Sequence, residues 1–480
     1  QPNSDGSAPT TGTLSSATEN IGIGKNVFQD LTSADYNVVI GPDAGMNITS
    51  GGYNVLVGRE TGQYLTTTTN TVAIGDNAGR FNTGGSNTFV GTNAGKRGTS
   101  GATSNNTFIG LSAGGNNTDG NNTAVGHQAL AYGAGAEDTV VMGYYAGQDL
   151  TATGMVAIGN KAAQQATSAG YGVIIGYEAN DTGILTGSRN VGIGMQSFRN
   201  ATSASDNVGI GPETFGSGVL TGENNIAIGK TALKKSTAAY YNVGIGYNAL
   251  AAMTSGTHST VIGASAGYNI STAGYGVFIG VKAGYANRTG TGNIAIGYEA
   301  MGGTAGTQEG HGIAIGYRAM FEVTDGSSGT AIGSNAFQFL VGGYSTAVGS
   351  TAGRYATGSY NTFVGSHAGK GGQTSAPYSS GGNNVAVGYQ TLKGFTTGVS
   401  NVAVGINSLG SLTTGENNIA IGHNAGDTMT SSGGCILIGN NAGGAINSAD
   451  ANGTIATFLI NSSIVFAAMV VLPVPGGPCT

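Results

Sequence analysis

The 480-residue chain carries 90 glycines, 39 % hydrophobic residues and only 8 % charged residues, with a formal net charge of −6. Glycine at this level without a third-residue period, and with only 8 prolines, excludes collagen, while the hydrophobic content excludes a disordered linker and leaves a chain able to bury a core. Cations are few and form no cluster larger than an adjacent pair such as Lys234-Lys235, so there is no footprint for nucleic acid or an anionic membrane surface.

Residues 1–19 form a polar Ser/Thr/Gly/Pro segment with no periodicity and no basic or apolar signal region, which suits a processed, secreted chain. It is expected to be a tail that lies on a neighbour or stays mobile. From residue 20 the chain repeats itself. NNIAIGKTAL, beginning at Asn224, returns as NNIAIGHNAG from Asn417 and as NVAVGINSLG from Asn401. With the glycine of each unit as marker, 25 units run from Gly24 to Gly439, mostly 16 to 18 residues apart, with 19 twice and 23 between Gly365 and Gly388. Self-similarity at such a period signals a stacked repeat architecture.

The residue before the marker is Val or Ile in every unit except at Met142, and the residue two positions further back is Val, Ile or Thr. This period of two in β-branched residues predicts one short strand per unit. A unit of about 17 residues is too short for a strand and a crossover helix, which need roughly 30. It fits one flattened turn made of two strands of about five residues and two corners. Stacked about 4.8 Å apart, 25 turns would make a rod of roughly 120 Å. The expected fold is therefore all-β: a parallel β-solenoid, or β-roll, of about 25 coils over residues 20–451.

Three other columns refine the reading. Three residues after the marker the side chain is small, as at Ala44, Ala78 and Ala232, which points to a narrow interior. Four residues before the marker stands Asn in 15 units, including Asn37, Asn54, Asn190, Asn207, Asn242, Asn401 and Asn418. Asn tolerates the left-handed backbone of a corner, and stacked amides can form a ladder. Two residues before the marker lies Ala or Gly in many units, but Leu56, Phe89, Phe108, Phe278, Phe363 and Leu437 in others. This column alternates with the Val/Ile pair, so it is expected to face outward, and a strand apolar on both sides is expected to be covered on both. These six residues are the candidates for lateral contact with copies of the same chain.

These repeats resemble the head repeats of trimeric autotransporter adhesins and the Asn-Thr-Ala-Ile-Gly repeats of some bacteriophage tail-fibre proteins. The resemblance covers residues 20–444, although the period is longer than the adhesin family's usual one. It implies a left-handed β-roll in three intertwined chains, and either an adhesin or a tail-fibre shaft that touches a host glycan.

Residues 452–480 change character, and residues 455–475 are the longest apolar run. Asn461-Ser462-Ser463 interrupt it and no basic flank follows, so two β-strands are expected here rather than a membrane span. They would either cap the last coil or pair with another subunit. The candidate junction residues for head-to-tail assembly are Ile455, Phe458, Ile460, Ile464 and Phe466.

Signals of chemistry are sparse. His127, His258, His311, His367 and His423 are scattered, so no metal site is expected. Glu60, Asp76 and Glu178 read as carboxylates facing water rather than an acid and base pair, and the phosphate-loop spacing is absent. Cys435 and Cys479 leave a disulfide open and are too few for a metal cage. Threonines such as Thr66 to Thr69 would form either an array of hydroxyls or simple soluble turns. Tyr144, Tyr177, Tyr247, Tyr298 and Tyr317 share the column after the marker, a strip for glycans or partners, or mere stacking. Neither an enzyme nor a cofactor is expected. The expected role is a non-enzymatic extracellular fibre, self-assembling head to tail or as a homotrimer, and acting as filament scaffold or adhesin.

Overall fold

The computed structural model describes residues 17–97, 103–287, 289–303, 310–323 and 328–443, with the backbone of Ile455–Phe458 and Val470–Val471. The chain divides into two compact units, Gln1–Tyr240 and Tyr241–Thr480. Each is a stack of parallel coils, and the chain is an all-β parallel β-solenoid. The first unit holds 13 three-residue strands, from Ile21–Ile23 to Ile226–Ile228, and the second holds 12, from Val243–Ile245 to Ile436–Ile438. Neighbouring strands pair without a shift: Val55 lies beside Val72, Leu56 beside Ala73 and Val57 beside Ile74. This zero shift stacks like on like, so each column of the repeat becomes a line of side chains along its unit.

The marker glycine sets the spacing between coils. At Gly58 the backbone has φ +137°, and a Cβ there would sit 2.5 Å from the carbonyl oxygen of Gly75 in the next coil. Any side chain would force the coils apart, which is why glycine recurs at this column.

The expected second strand is absent from the described coils. The returning leg is a ribbon of turns in which residues two and four after the marker take left-handed backbone, as at Glu60 (φ 54°) and Gly62 (φ 56°), or Gln128 (φ 51°) and Leu130 (φ 55°). Alternating handedness curls the leg so that its N–H groups point up and down in turn. Gln128 donates back to Leu111 at 2.9 Å, while Leu130 donates forward to Ala146 at 3.1 Å. Left-handed backbone costs a non-glycine residue about 1–2 kcal/mol, and these bonds to both neighbouring coils offset it.

The interior corrects the sequence reading of the strand. Leu56, Phe89, Phe108, Phe278, Phe363 and Leu437 are at most 1 % exposed within a single chain. They point into the coil against the small residue of the opposite wall, and are not available for lateral contact. The Val/Ile pair is the outward face instead. The reason lies in volume. Phe89 faces Gly95, and a Cβ on Gly95 would come within 2.5 Å of the Phe89 ring. In other coils the large side chain comes from the opposite leg: Phe198 fills the space over Gly192, and Phe215 the space over Gly209. In these coils a ring on one wall goes with glycine on the other, while at Ala73 and Gly79 the space is filled by Phe89 of the next coil.

Candidate functional site

The outer face of the strands runs through the coils of each unit. Pairs such as Val72 and Ile74, Thr107 and Ile109, and Ile294 and Ile296 lie on it in register. No strand from Ile21–Ile23 to Ile436–Ile438 contains a charged residue. Ile74, Ile109, Ile210 and Ile262 are each 38–40 % exposed. A single exposed isoleucine is unremarkable, but an uncharged column of Val, Ile and Thr repeated in register makes this face the candidate contact surface.

The corner beside this face is held by the Asn column. Asn54 donates through its side chain to the amide oxygen of Asn37 at 3.0 Å, and the same oxygen accepts the Asn54 backbone N–H at 3.0 Å. Its second amide hydrogen goes to the Thr68 carbonyl at 2.8 Å. Asn207 repeats the bond to Asn190, and Asn418 repeats it to Asn401 at 3.0 Å. After Asn242 the ladder passes to Ser259, whose N–H donates to the Asn242 side chain at 3.0 Å. The buried Cys435 takes the same position after Asn418; burial pushes its thiol pKa up, and Cys479 lies outside the described residues. The far corner carries a hydroxyl column, in which Thr396 donates to Thr413 and Thr413 to Thr430 across coils.

At the C-terminal end Ile455–Phe458 pairs in parallel with the strand Ile436–Ile438, and Val470–Val471 then pairs antiparallel to Ile455–Phe458. Phe458 lies beside Ile438 and Ile455 beside Val471 of the same chain. Ile460, Ile464 and Phe466 lie outside the described residues. A neighbour docking on the last coil would have to displace this strand, whereas Ile21 and Ile23 at the first coil are 55 % and 53 % exposed.

The tyrosine strip is broken into short stacks. Tyr298 stacks on Tyr317 at 5.5 Å, and Tyr144 on His127 at 5.2 Å. A second aromatic column, which sequence reasoning missed, lies five residues before the marker. There Tyr241, His258 and Tyr275 stack at 5.0 and 5.1 Å, and Tyr36 stacks on Tyr53 at 4.9 Å. At this spacing no sugar ring fits between neighbours, so the stacks present ring edges and terminal faces. Recurrent tyrosine at one offset was the available signal.

The charged groups pair along the coil axis. Arg59 meets Asp76 at 2.9 Å, Arg80 meets Glu60 at 2.6 Å, and Arg318 meets Glu299 at 2.7 Å. Glu178 is held below the usual carboxylate range by hydrogen bonds from Gln196 and Tyr177, whereas burial and then the Glu178 charge push Asp181 up. Arg199 lies between this pair, 3.6 Å from Asp181 and 4.0 Å from Glu178. His367 is pushed down by burial and by Lys370 and Lys393. Among the described residues no three His, Cys, Asp or Glu side chains form a group that could hold a metal ion, and no helix is long and apolar enough to cross a membrane. The sequence matches no family model and no curated protein.

Proposed function

We propose that this chain is a non-enzymatic structural protein of an extracellular fibre, built by association of copies of itself through the outer Val/Ile face and acting as scaffold or adhesin. The observation that carries the reading is that uncharged, half-exposed face, repeated in register through each unit. A second copy suits it because both surfaces would be flat, apolar and ruled at the same spacing of about 4.8 Å. The resemblance to trimeric adhesin heads supports three chains around a shared axis. Carboxylates such as Glu60, Asp76, Asp206 and Glu299 serve ion pairs between coils, which favours a structural role over acid and base chemistry.

Electron microscopy of the full chain tests this reading. Multi-chain particles are expected. Filaments would favour a polymerising scaffold, and discrete rods three chains wide would favour the alternative, a bacteriophage tail-fibre shaft that binds a host-surface glycan. Isolated single chains at micromolar concentration would overturn both.

A further inference from the structure

The first unit carries a groove that the outer face does not use. It crosses three successive coils, has a volume of 320 Å³, and is lined by Lys96, Arg97, Asn116, Gln128 and Tyr132 among others. Its origin is a gap in one column. Five residues after the marker most coils carry a long side chain, such as Gln63, Arg80, Gln148 or Gln164, but Gly115 and Ala131 stand there in two successive coils. The floor drops, and the side chains around it become walls.

Those walls contain unanswered polar groups. Arg97 is anchored by its backbone N–H, which donates to the Gly115 carbonyl at 2.6 Å. Among the described residues its Nη1 is buried without a hydrogen-bond partner, as is the amide oxygen of Asn93. Arg59, Arg80, Arg189 and Arg318 each meet a carboxylate, whereas Lys96 and Arg97 make no ion pair among the described residues. Burial disfavours the Arg97 charge, and Asp119 only partly counters it. Arg97 as a whole is half-buried, and its one buried nitrogen with an open donor favours an anion that can reach the guanidinium.

We propose that this groove binds an acidic polysaccharide, with the carboxylate of a uronic acid residue held by Arg97 and Lys96. A guanidinium fork suits a carboxylate. The amides of Asn116 and Gln128 supply donors and acceptors for sugar hydroxyls, and Tyr132, 50 % exposed, offers a ring face. The volume lies at the small end of ligand sites, which run from about 300 Å³ upward. Two cations on a chain of net charge −6 make no track for nucleic acid. The proposal names a ligand class within the fibre reading, but the groove belongs to one chain and does not depend on assembly.

The test is calorimetric titration of the full chain with tri-galacturonate, neutral tri-galactose and inorganic sulfate, with sedimentation of the same samples to report assembly separately. Tri-galacturonate should bind and tri-galactose should not. Arg97→Gln should weaken binding about tenfold or more. Gly115→Gln, which puts into this column the side chain found at Gln63, Gln148 and Gln164, should abolish binding, and Lys230→Gln should leave it unchanged. No binding by the unmodified chain, or unchanged affinity in both groove variants, would overturn the proposal. So would sulfate binding as tightly as the trisaccharide, which would reduce the groove to a plain anion site.

Discussion

The coils around Phe89 and Phe108 differ from those around Phe198 and Phe215 in which wall supplies the ring. In the first pair the rings come from the strand and stack at 5.5 Å over glycines of the returning leg; in the second they come from the returning leg and pack at 4.9 Å over strand glycines. All four rings are at most 1 % exposed. In these four coils a ring on one wall is matched by glycine on the other, so neither column has a fixed identity. Where both positions are small, as at Ala347 and Gly353, rings of the adjacent coils, Phe337 and Phe363, fill the space.

The comparison can be broken most severely by emptying a level. Phe108→Ala should destabilise its own and neighbouring coils by about 3–5 kcal/mol, read as faster native-state hydrogen exchange in Thr107–Ile109. Effects should fade beyond the adjacent coils, because each coil contacts only its neighbours. Overfilling a level comes next. Gly114→Phe should cost about 2–3 kcal/mol, and adding Phe108→Gly should recover most of it by converting the level to the arrangement at Phe198. A double variant no more stable than Gly114→Phe alone, by thermal unfolding, would refute this exchange of ring and glycine.

Smaller effects sharpen the contrast between interior and corner. Asn54→Ala removes an amide that serves both adjoining coils, and should cost about 1–2 kcal/mol in either kind of coil, again by hydrogen exchange. The smallest effect concerns charge. The Lys234 ammonium, 2.5 Å from Glu213, holds that carboxyl below its ordinary range. A lowered native value contributes stability above the unfolded pKa of about 4.3 and loses it as pH falls through the lowered value. Glu213→Gln should slightly flatten the fall of melting temperature below about pH 4, and solvent screening keeps the difference small.

Much of this was legible in the sequence. The marker glycine, the strand ending just before it and the Asn corner all follow from residue preferences that act locally. The polarity of the strand did not, because both of its faces are apolar and β-branched pairs more often lie inside. The missing signal was a correlation: Phe89 and Phe108 accompany Gly95 and Gly114, whereas Gly192 and Gly209 accompany Phe198 and Phe215. Two residues that exchange size within a repeat face each other. The turn ribbon was hidden for another reason. Glu60, Gln128 and Leu130 are poor formers of left-handed backbone, and only bonds to both neighbouring coils hold them there. The groove was visible only as two small residues, Gly115 and Ala131, in a column of long ones.

The claim that the outer face joins copies of the chain is tested most directly by sedimentation velocity of the full chain beside Ile193→Lys and Ile210→Lys. Each variant places a charge on the stripe while leaving the filled interior untouched. The unmodified chain should sediment as a multi-chain species, and both variants as single chains with an unchanged circular dichroism spectrum. An unmodified chain that sediments alone, or variants that assemble as it does, would contradict the role assigned to that face.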